Sequence, residues 1–164
     1  MYANDTSPPA AFLPETEILI NNSTFSDAHK GARFMSLDLK DFFLATPMQE
    51  LEIMKVPYKY FPDYIIKKYN LHALKDNESI SIKVKKGMYG LKQATDIAYK
   101  NLINNLAPFG YHPIPHTDSY CQHALLPTKF GLCVDDCGVK FFKKRDLNHL
   151  FSALQTNYKI YTDF

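Results

Sequence analysis

The chain is poor in the features that mark several large protein classes. Three cysteines in 164 residues are too few, and odd in number, to form a disulfide framework, and reduced thiols suit an intracellular compartment. No apolar run approaches the roughly 20 residues that a membrane helix needs. The N-terminus, "MYANDTSPPAAFLP", has no basic start followed by an apolar stretch, so a secretory signal is not expected. No glycine-rich phosphate loop, Ser/His/Asp order or internal repeat is visible. Charge of one sign is also scarce. The net charge is +2, which permits a nucleic-acid partner without arguing for one, because a footprint depends on local basic clusters. The expectation is a soluble intracellular protein with no membrane partner, in a cytoplasmic particle or the nucleus.

What the chain does have is enough apolar content, 46% of residues, to bury a core in a single domain. Residues 1–30 read as a loosely ordered lead, with weak helical character around Thr16 to Asn21. Residues 31–164 read as the domain. "ARFMSLDLKDFF" opens with a partly alternating apolar run that suits a buried strand, with Asp38 at its end. "LEIMKVP" offers a second strand closed by Pro57. "FPDYIIKKYNLHALK" looks helical, with Pro62 near a permitted first-turn position. "SISIKVKKG" alternates as a half-buried strand does. Ala94, Ala98, Leu102 and Leu106 stand four apart, one stripe down a helix that Pro108 and Gly110 end. "GYHPIPHTDSYCQHALL" is broken by prolines, with one short strand expected around Tyr120 to Leu125. "FGLCVDDCGVKFF" reads as a hairpin whose link is supplied by Asp135, Asp136 and Gly138. Leu147, Leu150, Phe151 and Leu154 follow the i, i+3, i+4, i+7 pattern of an amphipathic helix, with Asp146 in its first turn or cap, and "KIYTDF" reads as a last strand. Strands and helices mixed in this order predict an α+β fold, a largely antiparallel sheet with helices packed on one face.

Three acids carry the chemistry. Asp38 ends one strand, and Asp135 and Asp136 sit at the tip of the hairpin. If those strands are neighbours, the carboxylates meet at one edge of the sheet, where a hard divalent cation neutralises them. Mg²⁺ prefers oxygen ligands and shares its coordination with substrate phosphates, and two such ions about 4 Å apart activate an attacking oxygen and stabilise a leaving one. The bland alternative is that Asp-Asp in a turn is ordinary.

"SLDLKDFFLATPM", "KGMYGLKQA" and "LCVDDCGVKF", in that order, resemble three signature segments of the reverse transcriptases of copia-type LTR retrotransposons. The likeness spans about Ala32 to the C-terminus. It implies the palm of a polymerase right hand and an RNA-directed DNA polymerase activity: nucleotidyl transfer from a dNTP to a primer 3′-hydroxyl. Mg²⁺, or Mn²⁺ in its place, would be the cofactor. The partners would be an RNA or DNA template with its primer, the dNTP and the rest of a retrotransposon polyprotein. By the same resemblance, Asp38 and Asp135 would be the metal ligands with Asp136 assisting, and Leu39 would lend its carbonyl. Asp41 and Phe42 would lie beside the triphosphate, and Phe43 would be the steric gate against a ribose 2′-hydroxyl. Tyr89 and Gly90 would flank the nucleotide, with Lys92 on the nucleic acid. The chain departs from the pattern at Cys133, where a larger residue is usual, at Thr95 in place of proline, and at the bulky Phe42. Fingers and thumb read as missing or truncated, so a catalytically inactive remnant that still binds nucleic acid is the alternative. A ferredoxin-like binding module with a chance acidic turn is a third reading, and it expects Asp38 and Asp135 far apart.

Other groupings have ordinary explanations. His112, His116, Cys121 and His123 are zinc-type ligands, but their spacing is irregular and broken by prolines. Cys133 and Cys137 read as packing thiols, since a hard-metal site has little use for thiolate. Lys83, Lys85, Lys86 and Lys92, and the cluster Lys143, Lys144 and Arg145, are solvated faces unless a nucleic-acid backbone covers them.

Overall fold

The computed structural model describes residues 13–21, 26–117, 119–133 and 135–162, apart from the side chains of 13–16, 49–51 and 92. The order is α1 (Leu13–Asn21), β1 (Arg33–Lys40), β2 (Pro47–Pro57), α2 (Asp63–Tyr69), β3 (Ser79–Lys86), α3 (Lys92–Leu106), β4 (Tyr111–Pro113), β5 (Tyr120–His123), β6 (Lys129–Cys133), β7 (Asp136–Phe141), α4 (Lys144–Gln155) and β8 (Lys159–Thr162). Six strands form one sheet in the order β4-β5-β6-β7-β1-β8, and β2 pairs with β3 in a second, two-stranded sheet. Every pairing is antiparallel. The α+β class and the antiparallel sheet expected from the sequence are therefore present.

Alternation along the strands divides the large sheet into two faces. Leu37 and Leu39 of β1, Phe130 and Leu132 of β6, and Cys137, Val139 and Phe141 of β7 point to one face and are buried. Across them lie Ala94, Ala98, Leu102 and Leu106 of α3, together with Leu147, Leu150, Ala153 and Leu154 of α4. The buried stripe of α3 is alanine in its first half and leucine in its second.

The opposite face is built differently. Tyr120, Gly131, Gly138 and Ser36 lie in one row across β5, β6, β7 and β1. A Cβ on Gly131 would come 2.8 Å from the Tyr120 ring, and one on Gly138 would come 3.0 Å from the Phe34 ring. The two glycines thus form the floor on which the two aromatic rings lie. Leu19 of α1 closes over them with Ile114. Helices α3 and α4 share one face as expected, but α1 packs on the other.

Gly138 is consequently a strand residue chosen for close approach, not a turn residue. The hairpin register pairs Cys133 with Asp136, so the link is residues 134–135. Asp136 belongs to β7 and not to the tip; Val134 lies outside the described residues. The proline-rich stretch holds two paired strands, β4 and β5, where one was expected. Helix α2 stops at Tyr69, because Asn70 takes a left-handed φ of 49° and its N–H caps the carbonyls of Ile66 and Lys67. A 3-10 turn follows over Leu71–Leu74. Together α2, β2 and β3 bury a separate small core of Ile66, Leu71 and Ile80.

Two of the four zinc-type residues are spent otherwise. Cys121 is buried in the main core, where burial pushes its thiol up to about 12. His123 Nδ1 accepts hydrogen bonds from the amides of Leu125 and Leu126 at 2.9 and 2.8 Å. Among the described residues, no group of three or more His, Cys, Asp or Glu is placed to hold a metal ion.

Two outcomes follow from this packing. Leu150 is fully buried between α4 and the sheet, so Leu150→Ala lowers unfolding free energy by about 2–5 kcal/mol in urea titration. His123 is held below its ordinary 6.5, first by burial and then by the charge of His149. The unfolded chain therefore binds the proton more readily, and stability is complete above pH 6.5 and falls as pH drops through the lower folded value. His123→Asn keeps an acceptor near Nδ1 and removes the titration, so the urea midpoint of this variant declines less steeply below pH 6.5 than that of wild type.

Candidate functional site

The next row along the open face carries the acids. Cys133 of β6, Asp136 of β7, Asp38 of β1 and Tyr161 of β8 are successive register partners. Directly opposed residues on neighbouring strands point to the same side. Asp38 and Asp136 thus stand next to each other on the face opposite the helices, at the end that the α1 contacts leave open. A small cleft of about 50 Å³ is lined by Ser36, Leu37, Asp38, Asp136 and Tyr161. Like charges directly opposed across a ladder are destabilising, so this pair is not explained by sheet stability.

Asp135 is tied to the same strand by its backbone and sent elsewhere by its side chain. Its carbonyl accepts the Leu39 N–H at 2.9 Å, which extends the β1–β7 ladder one step past the acid pair. Its carboxylate accepts the Tyr89 hydroxyl at 2.5 Å. That bond, burial, and the carboxylates of Asp135, Asp38 and Asp41 push the Tyr89 phenol up to about 12. Burial first, and then Asp136, Asp38 and Asp135 among its charged neighbours, push the Cys137 thiol far up. The acids at 38, 135 and 136 therefore share one local field, although they are far apart in sequence.

The segment after β1 turns sharply. Asp41 adopts φ 55°, an uncommon conformation for a residue with a Cβ but tolerable for aspartate. The Phe42 N–H bonds the Leu39 carbonyl at 3.2 Å, and the Ala45 N–H bonds the Asp41 carbonyl at 2.8 Å. This turn drives Phe42 and Phe43 into the main core, 0% and 3% exposed. The Phe43 ring meets Phe42 at 5.3 Å and Tyr89 at 5.0 Å, both edge to face. Tyr89, 59% exposed, is the member of this aromatic group that meets solvent. Gly90 has φ +87° with open space where a Cβ would sit, so its requirement is conformational. Lys92 begins α3; its side chain lies outside the described residues.

Two neighbours of the acids were not singled out from the sequence. Tyr161 borders the cleft, and Lys40 donates to its hydroxyl at 3.1 Å. That bond raises the Lys40 ammonium, and Asp41 and Asp38 add to the effect. Alternation in "KIYT" marks Tyr161 as one face of a strand, but only the pairing of β8 with β1 brings it to Asp38.

Chemically, the site offers hard oxygen donors. Asp38 and Asp136 are directly opposed, the Asp135 carboxylate accepts the Tyr89 hydroxyl, and the Leu39 carbonyl accepts the Phe42 N–H. A set of one or two carboxylates suits Mg²⁺, which retains waters and takes further oxygens from phosphates, better than it suits zinc or a closed structural cage. The donor chemistry therefore fits a magnesium ion completed by a phosphorylated ligand. Compared with protein-family models, curated proteins and solved structures, the chain finds no match.

The Tyr89–Asp135 bond is open to direct measurement. In a ¹³Cζ-tyrosine NMR titration, Tyr89 ionises near about 12, and Asp135→Ala moves its midpoint down towards the ordinary 10.0. A midpoint unmoved by that substitution shows that burial alone holds the phenol.

Proposed function

We propose that this chain is the palm region of an RNA-directed DNA polymerase of the copia retroelement type, acting on a primer paired with an RNA or DNA template. The observation that carries the reading is the register Asp38↔Asp136, with Asp135 clasped to Leu39 one step further on. Folding thus brings Asp38 and Asp136, from two separate sequence segments, together on one face. The resemblance assigns catalytic acids to those same positions.

In this reading Asp38 and Asp136 would hold divalent magnesium beside the substrate, and Asp135 and the Leu39 carbonyl would join them once released from Tyr89 and from the Phe42 N–H. Magnesium bound there would favour ionisation of the attacking 3′-hydroxyl and neutralise charge on the triphosphate. The protein supplies position. The β1–β7 ladder fixes the spacing of Asp38 and Asp136, because both lie within hydrogen-bonded strands. The turn at Asp41 follows Asp38 by three residues, and in this reading its backbone would lie beside the triphosphate, although the Phe42 N–H is bonded to the Leu39 carbonyl. Gly90 gives the chain the left-handed turn that leads into α3. Phe43 as a gate lies beneath Tyr89, so a sugar reaches its ring only when Tyr89 turns aside.

A second reading, a nucleic-acid-binding remnant without catalysis, is favoured by one observation: the Asp135 carboxylate is already engaged by Tyr89. Primer extension decides between them. With Mg²⁺, a dNTP and a primed oligonucleotide template, the polymerase reading expects extension by the wild-type chain. Asp38→Asn and Asp136→Asn each reduce that extension to background, and Asp136→Asn leaves the unfolding midpoint at or above wild type, since it removes like-charge repulsion across the ladder. Binding of primer–template with no extension under any divalent metal supports the remnant.

A further inference from the structure

The unit formed by β2, α2 and β3 is distinct in charge from the rest of the chain. Residues 47–86 hold eight lysines (55, 59, 67, 68, 75, 83, 85 and 86) against five acids, Glu50, Glu52, Asp63, Asp76 and Glu78, which is a net +3. The whole chain is +2, so the remainder is −1. A nearly neutral total thus conceals a basic module. Two of its lysines are paired, Lys55 with Asp76 and Lys75 with Glu78.

This module also exposes aromatic rings that its own core does not use. Within ten residues, Tyr60, Tyr64 and Tyr69 are 68%, 70% and 57% exposed. One exposed tyrosine is commonplace; three on and beside a seven-residue helix are not accounted for by packing. The fourth tyrosine nearby shows the contrast. Tyr58 packs on the module's small core, its hydroxyl bonds His72 Nδ1 at 2.7 Å, and Lys75 lies over its ring. On the outer side, Lys59 lies over the Tyr60 ring at 5.1 Å and Lys68 over the Tyr69 ring at 5.3 Å. Helical spacing puts Tyr64 on the same side as Lys67 and Lys68, three and four residues on. Among the described residues, Lys59, Lys67 and Lys68 have no carboxylate partner.

Flat π-faces interleaved with unneutralised ammonium groups fit one kind of partner well. Unpaired bases stack on aromatic rings in a sequence-tolerant way, and the linking phosphates fall beside the lysines. A duplex hides its base faces. We propose that the exposed surface of α2 and its flanking turns, with Tyr60, Tyr64, Lys59, Lys67 and Lys68, and with Tyr69 further round the helix at its C-terminal end, is a platform for single-stranded nucleic acid. The proposal extends the nucleic-acid partner of the polymerase reading to a surface separate from the acidic row. Its test uses neither metal nor nucleotide, so the two readings fail independently.

The probe is a fluorescein-labelled oligo(dT) or oligo(U) of about 15 nucleotides, titrated by anisotropy in EDTA with the full chain. Tyr64→Ala weakens binding about tenfold, Tyr64→Phe binds as wild type, and both keep the wild-type urea midpoint because the ring is exposed. Replacing Lys59, Lys67 and Lys68 with glutamine lowers the magnitude of the log K against log salt slope by about 2. The same change at Lys143 and Lys144 leaves the slope at its wild-type value. The proposal is overturned if the triple variant Tyr60→Ala, Tyr64→Ala, Tyr69→Ala binds as wild type. It is equally overturned if an abasic strand of the same length binds as well as oligo(dT), which makes the surface a charge patch only. Preference for vesicles of anionic phospholipid over the oligonucleotide also overturns it and assigns the tyrosines to a membrane interface.

Discussion

The rest of the molecule depends on the antiparallel ladder between β1 and β7. It joins Arg33 through Asp38 to Phe141 through Asp136, two segments separated by most of the domain. Closing so long a loop costs conformational entropy, and contacts of this range form late in folding. The cost is offset on the helix side, where Leu37, Leu39, Cys137 and Val139 meet the leucines of α3 and α4. The same register that seats these apolar residues turns Asp38 and Asp136 outward. A slip of one residue would bury the acids and expose the core, so the hydrophobic face enforces the position of the polar one.

Much of the architecture was legible because the signals were periodic. The stripe Ala94, Ala98, Leu102 and Leu106 and the repeat Leu147, Leu150, Phe151 and Leu154 gave α3 and α4, and alternation in 79–86 gave β3. The illegible parts depend on contacts between distant residues. Gly138 has the composition of a turn residue, and only the Phe34 ring above it explains its place within a strand. Tyr111–Pro113 becomes a strand because Tyr120–His123 is there to pair with it. Helix α1 crosses to the second face because Tyr120 and Phe34 offer Leu19 an apolar seat there.

For the acids, sequence supplied the residue types and the fold supplied their division of labour. The resemblance made Asp38 and Asp135 the leading pair with Asp136 assisting, yet Asp38 and Asp136 are the ladder partners. Asp135 lies past the end of β6, and its side chain crosses to Tyr89. That asymmetry follows from strand geometry, since adjacent residues of an extended chain point in opposite directions. The aromatic group of Phe42, Phe43 and Tyr89 was likewise visible as residues but not as a stack, because the turn at Asp41 that folds it together lies in a single positive φ.

The three thiols divide along the same faces. Cys121 and Cys137 are buried on the helix side and Cys133 is exposed beside Asp136. Alkylating reagents require thiolate and access, and burial denies both to the first two. The native chain therefore offers a single addressable sulfur next to the acid pair, where a spin label or fluorophore reports on occupancy of that cleft without any residue having to be engineered.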